Sequence, residues 1–146
     1  IIGNGTNLDN LKLLANKNPN IVFHGKKPRS DMASYYKASD FLIISLIDEP
    51  IFSVTVPAKT QTYIAAKKPI LAIINGDTAS IIQDNNLGLC ADPSKIDAIA
   101  TMFQRCMDMG QVERQSFTKE NDRLLATIFN KDKTIDRLLE IVISKD

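Results

Sequence analysis

The feature that most constrains this chain is an alternation. Short apolar runs rich in isoleucine and valine are separated, again and again, by helix-like segments. The runs are Ile1-Ile2, Ile21-Val22-Phe23-His24, Phe41 to Ser45, Ile70 to Ile74 and Leu87-Gly88-Leu89-Cys90. Between them, Leu8, Leu11 and Leu14 recur at helical spacing and are broken by Pro19-Asn20. Ser30 can cap a helix carrying Met32, Tyr35 and Tyr36 on one side. Pro57 suits the first turn of a helix running to about Ala66, and Ala79 to Asp84 is a short helix. Phe41–Ser45 is apolar and partly β-branched, the pattern of a strand buried on both faces. Buried strands alternating with helices predict a parallel sheet covered on both sides, an α/β fold.

From Ser94 onward the pattern changes and the chain reads as a helical tail over about residues 94–146. Ser94 and Asp97 make a capping pair of the S-x-x-D kind. Ile96, Ile99, Met102, Phe103 and Cys106 form one apolar stripe that Gly110 ends. Leu124, Leu125, Ile128 and Phe129 follow, then Ile135, Leu138, Leu139 and Val142 on a final amphipathic helix.

Composition narrows the function classes. With 146 residues the chain suits one domain with one core. A net charge of +1 gives no electrostatic case for nucleic acid or for membrane binding in bulk. No apolar run approaches the roughly 20 residues of a membrane-spanning helix. Cys90 and Cys106 have neither metal-ligand nor redox spacing and read as small buried hydrophobes of a reducing cytoplasm. No HExxH motif, cysteine cluster or DxD-type pair supports a metal. Residue 1 is Ile, and Ile1-Ile2 read as the end of a strand already under way, so the expectation is a fragment of a longer protein.

In doubly wound sheets ligands sit beyond the carboxyl ends of the strands. That directs attention to Gly3–Asn7, His24–Arg29, Leu46–Val56 and Asn75–Thr78. The third is the richest. It leaves a buried strand, carries Asp48 and Glu49, and feeds a helix start whose unpaired N–H groups suit phosphate. Ser53 and Thr55 add hydroxyls, and Lys59 lies in the first helical turn. A capped helix with a solvated lysine is the plain alternative. Glu49 is either a surface carboxylate or an acceptor for sugar hydroxyls. Gly3-Asn4-Gly5 is a frequent kind of turn and lacks the third glycine of a phosphate loop. His24, the only histidine, has no Ser, Cys or Asp partner apparent in the sequence. Tyr35 and Tyr36 read as packing residues, and the Lys26-Lys27 and Lys67-Lys68 pairs as solvated loop charge.

Taken in order, these segments resemble the C-terminal domain of family 4 glycosyltransferases of the GT-B fold. Ile1-Ile2-Gly3-Asn4-Gly5 is similar to that family's strand ending in glycine–x–glycine. Asn20-Ile21-Val22-Phe23-His24-Gly25-Lys26 resembles its "nVxFxGxv". Tyr36 to Ser45 resembles "yyxxaDvfvxpS", Asp48-Glu49 opens the glutamate loop, and Pro57 to Ala72 resembles "PxKxxeYmaaGkPila". The last form resembles bacterial surface-polysaccharide enzymes, including N-acetylfucosamine-type transferases of O-antigen and capsule pathways.

The resemblance implies a Rossmann-like parallel sheet flanked by helices, the C-terminal half of a GT-B fold, with the first strand missing and a helical C-terminus. It implies a nucleoside-diphosphate-sugar donor, UDP favoured over GDP, and no cofactor. Glu49 would hold the donor sugar. The amides of Ser53, Val54, Thr55 and Val56, supported by Lys59, would hold the diphosphate. Gly25, Lys26 and Lys27 would meet the nucleobase. The family's ribose-binding glutamate falls at Thr62, a neutral and weaker partner, and Lys67 replaces a usual glycine. The glutamate loop is several residues longer than the family's plain form. A lipid-linked saccharide acceptor, and any catalytic residue, would belong to an N-terminal domain outside this chain. The full protein would then be cytoplasmic, at or near the inner face of the membrane, and the fragment alone inactive. A sugar-nucleotide epimerase of the same architecture, and a non-enzymatic α/β domain binding nucleotide or a partner, are the alternatives.

Overall fold

The computed structural model describes residues 1–143. The chain divides into two compact units, Ile1–Ala38 and Ser39–Asp146.

The first unit holds helix α1 (Leu8–Ala15), a 3-10 turn at Arg29–Asp31 and helix α2 (Met32–Ala38). Its two apolar runs do not form regular strands. They nevertheless bond to each other in parallel fashion: Ile1 N donates to Val22 O at 2.6 Å, His24 N to Ile1 O at 2.8 Å and Gly3 N to Gly25 O at 2.9 Å. Gly25, at φ +67, shifts the register at the third bond, so no regular ladder continues. α1 ends sooner than Pro19 because Asn16 and Lys17 both turn left-handed. Its leucines form no core, Leu14 being 73% exposed. Ser30 caps nothing. Pro28 stands at the N-cap of the 3-10 turn, and the Ser30 hydroxyl bonds the Asp31 carboxylate at 3.0 Å. His24 lies against the ring of Tyr35, centroids 5.4 Å apart.

The second unit contains a three-stranded parallel sheet in sequence order: β1 (Leu42–Ser45), β2 (Ile70–Ile73) and β3 (Gly88–Ala91). Between β1 and β2 come a single-turn helix α3 (Pro50–Ser53) and α4 (Ala58–Ala65); α5 (Asp77–Asp84) links β2 to β3. The tail is α6 (Ile96–Asp108), α7 (Gln111–Ser116), α8 (Asn121–Ala126) and α9 (Lys131–Ile143). Of the tail expected to reach residue 146, residues 144–146 lie outside the described ones.

Successive strand residues point to opposite faces, and the core divides accordingly. Ile44, Ile70, Ala72 and Ile74 join Ile64 of α4, Ile82 of α5 and Leu124 of α8 on one face. Leu71 and Ala91 join Met102 and Cys106 of α6 on the other. Only β2 is central and closed on both sides. β1 departs from the expected double burial. It lies at one edge of the sheet: Ile44 joins the first cluster and Leu42 is buried, but Ile43 is 46% exposed. The α6 stripe also differs: Ile96, the first helical residue, is exposed, while Met102 and Cys106 carry the burial. The cysteines behave as hydrophobes. Cys106 is buried, and burial pushes the Cys90 thiol up to about 11.

Three local contacts tie this unit together. Asn121, buried, donates from Nδ2 to Ile64 O at 2.8 Å, tying α8 to a carbonyl near the end of α4. Lys67, at the position where the resembled family has glycine, is left-handed with φ +52, at a steric cost of roughly 1–2 kcal/mol. Its Nζ reaches Asp122 at 2.7 Å. Gly88 pairs so closely with Ile70 that a Cβ there would overlap the Ile70 carbonyl. Gly88→Ala should therefore force β2 and β3 apart and lower stability by about 2 kcal/mol or more. A thermal melt should fall by roughly 5 °C or more, and an unchanged melting temperature would contradict the close approach.

Candidate functional site

The carboxyl ends of β1, β2 and β3 release three turns on the same end of the sheet: Leu46–Pro57, Ile74–Gly76 and Asp92–Lys95. The first is not an open loop. Pro50 at a first helical position starts the single turn α3, and Glu49 is its N-cap in extended conformation. The helix expected around Pro57 begins one residue later, at Ala58, with Pro57 as its N-cap.

Most amides of the segment expected to meet phosphate already have partners. Ser53 closes α3. The Val54 and Thr55 amides both turn to Phe52 O, the latter at 3.4 Å. Of the three expected amides outside α3, only that of Val56 is engaged by no group among the described residues. Pro57 has no N–H. The next two, Ala58 and Lys59, belong to the first turn of α4, where no intrahelical partner exists, and no side chain caps that helix. The open donors are thus Val56, Ala58 and Lys59, shifted along the chain from Ser53–Val56. The Ser53 and Thr55 hydroxyls also differ from expectation. Each donates back to its own turn, Ser53 Oγ to Pro50 O at 2.7 Å and Thr55 Oγ1 to Ile51 O at 2.6 Å. Such a proton is not available to a phosphate, which only accepts.

Glu49 is exposed, and its carboxylate has no hydrogen-bond or ion-pair partner among the described residues, so all its lone pairs stay open. Lys59 is exposed on the first turn of α4 and likewise makes no ion pair there. Thr62 is exposed on the same helix and donates to Ala58 O at 3.2 Å. Gly25, Lys26 and Lys27 belong to the first unit, Gly25 left-handed and Lys26 exposed.

The β2–α5 turn grips the glutamate loop, a role that sequence reading did not assign to its residues. Gly76 has φ +80, and a Cβ there would overlap the Ser53 carbonyl. Thr78, fully buried, donates to Thr55 O at 3.0 Å. Asn75 Nδ2 reaches Asp48 at 3.3 Å and Asp92 at 3.4 Å. The visible signal was the Asn-Gly turn running into a helix start. The crevice between Glu49, Phe52, Ser53 and Asn75 holds only about 10 Å³, room for about one water. On the other side of Asn75-Gly76 an open pocket of about 330 Å³ is lined by Ser80, Gln83, Cys90 and Asp92.

The expected Ser94–Asp97 cap is replaced by a turn on Asp92. Ser94 donates to Asp92 through its hydroxyl at 2.7 Å and its amide at 2.9 Å, and Lys95 becomes the N-cap of α6. The two Ser94 bonds, with help from Asn75 and Lys95, hold the Asp92 carboxyl below the usual range. At the opposite end of the sheet, a cavity of about 480 Å³ contains Lys67, Lys68 and Arg114. Arg114 is committed to Asp40 at 2.8 Å and stacks over Phe41, and Lys67 is committed to Asp122.

A family-wide sequence model for glycosyl transferases of group 1 matches residues 1–124. The chain belongs to the group 1 glycosyl transferases. No curated protein matches it. The three-stranded parallel sheet flanked by helices fits the C-terminal, Rossmann-like half of a GT-B fold. Group 1 enzymes take a nucleotide-sugar donor and an acceptor. No helix among the described residues of this glycosyl transferase is long and apolar enough to cross a membrane.

A depressed carboxyl contributes to stability above its unfolded value, and the contribution is lost as pH falls through the lower folded value. Asp92 should therefore titrate below the ordinary aspartate value of about 3.9 when its side-chain carbon is followed by NMR. Ser94→Ala should move that midpoint upward. An ordinary midpoint in the wild-type protein would refute the Ser94 turn.

Proposed function

We propose that this glycosyl transferase is the donor-binding part of a retaining enzyme. It moves a sugar from a nucleoside-diphosphate sugar, UDP favoured over GDP, to a lipid-linked or growing bacterial polysaccharide. The observation that carries the reading is the start of α4. Three successive free amides, those of Val56, Ala58 and Lys59, open at the carboxyl end of a parallel sheet beside the uncommitted Lys59 side chain. Such a start carries a partial positive charge, and charge of that sign stabilises a departing diphosphate in the transition state. Glu49, seven residues before Val56 with its carboxylate open, supplies acceptors for donor-sugar hydroxyls.

The finer assignments follow the motif order. Gly25, Lys26 and Lys27 would meet the base, and Thr62 would offer the ribose one neutral hydroxyl in place of a carboxylate. Because the Thr62 proton is given to Ala58 O, that hydroxyl meets the ribose as an acceptor only. The acceptor saccharide and its catalytic groups would lie on another domain of the full protein, working at the inner face of the cytoplasmic membrane. An N-acetylfucosamine-type donor is the specific candidate, on the form of the Pro57–Ala72 segment.

Glu49→Ala in the intact protein should lower kcat/KM for transfer by about ten- to a hundredfold, the worth of one or two hydrogen bonds to a charged group. Calorimetric titration with UDP and with GDP should give tighter binding of UDP. Unchanged turnover in the alanine variant would remove Glu49 from the site, and binding of neither nucleotide would remove the donor reading.

A further inference from the structure

We infer that Thr78 is a positioning residue for the diphosphate contact, acting through the peptide between Thr55 and Val56. The inference rests on the donor reading above and names a residue outside the predicted site. Thr78 lies in the first turn of α5, two residues after Gly76, and is fully buried. Its hydroxyl donates to Thr55 O at 3.0 Å. No peptide bond among the described residues is cis. In a trans peptide the carbonyl of one residue and the N–H of the next point in opposite directions. With the Thr55 carbonyl drawn onto Thr78, the Val56 N–H is turned away from α5. Between α3 and α4 it is the one amide without a partner among the described residues.

The neighbouring glycine supports the same arrangement. The Ser53 carbonyl sits against Gly76 where a Cβ would otherwise stand. Two carbonyls of the segment, those of Ser53 and Thr55, therefore lean on one turn, which restrains rotation of the backbone between them. A loop that is longer than the family's plain form has more freedom to lose. The turn at Gly76 and Thr78 removes that freedom before the donor arrives, so less binding energy goes into ordering the loop. The Thr78 hydroxyl itself meets no ligand; its effect travels through one peptide plane.

The test compares UDP with uridine, which lacks the phosphates. In the intact protein, Thr78→Val keeps the shape and deletes the bond, while Thr78→Ser keeps the bond. The valine variant should weaken UDP binding about tenfold, the serine variant should stay within about twofold of wild type, and uridine binding should be the same in all three. Equal weakening for UDP and uridine, or an unchanged UDP affinity in folded Thr78→Val, overturns the inference. A second measurement needs no variant: the Val56 amide resonance of the wild-type protein should shift on adding UDP and stay in place with uridine. UDP binding without a shift at Val56 overturns this inference alone, whereas absence of any UDP binding overturns the donor reading together with it.

Discussion

Everything on the carboxyl end of the sheet depends on β2 being closed on both faces. Ile70 and Ala72 face one cluster and Leu71 the other, each nearly inaccessible. At about 25 cal/mol per Å² of apolar surface, such a strand has no low-cost way to shift its register. A slip of one residue would exchange its two faces. Ile74 continues the buried run past the strand's end, so the Asn75-Gly76 turn leaves the core at a fixed point and in a fixed direction. The glutamate loop is fastened to that turn rather than to its own strand. β1, at the sheet edge with Ile43 exposed, is the less constrained of the two.

The consequence is a division of labour between backbone and side chains. The loop's hydroxyls are spent locally: Ser53 on Pro50, Thr55 on Ile51 and Thr62 on Ala58. Its Thr55 carbonyl is bonded by Thr78 of the β2–α5 turn, and its Ser53 carbonyl lies against Gly76 of the same turn. What is left uncommitted is acidic at Glu49 and donor-rich at Val56–Lys59. Those two kinds of group suit the two ends of a sugar diphosphate, hydroxyls at one and phosphate oxygens at the other. The segment's internal bonding has removed the competing partners and left these free.

The α/β class, the three strands of the second unit and most of its helices were legible because runs such as Ile70–Ile74 carry a signal strong enough to survive any context. What failed were contacts set between segments distant in sequence or by a competing local partner. Ser94 looked like a cap for α6, but its hydroxyl and its amide both donate to the Asp92 carboxylate, and Lys95 stands at the N-cap instead. Ser30 lost its capping role to a 3-10 turn opened by Pro28. Phe41–Ser45 read as doubly buried, since a strand's sequence does not state whether it will stand at an edge. At the residues expected to meet the donor, Glu49 and Lys59 have no partner among the described residues, and the open amides are those of Val56, Ala58 and Lys59 rather than Ser53–Val56. That shift came from α3, a single turn whose only sequence mark is Pro50. Thr78 was hidden because its partner, Thr55, is 23 residues away.

The narrow crevice beside Glu49 follows from the same fastening. With Gly76 against Ser53 and Asn75 on Asp48, the loop lies down on the β2–α5 turn, and only about 10 Å³ remains beneath it. A sugar ring cannot enter such a space. A donor sugar bound to Glu49 as proposed would therefore lie on the outer side of the loop, where the carboxylate is exposed. The Val56 N–H is turned away from the same supporting turn that closes the crevice. On the proposed reading, the contact surface of this unit is the outward face of the loop and the start of α4, with the residues beneath it keeping that face in one conformation.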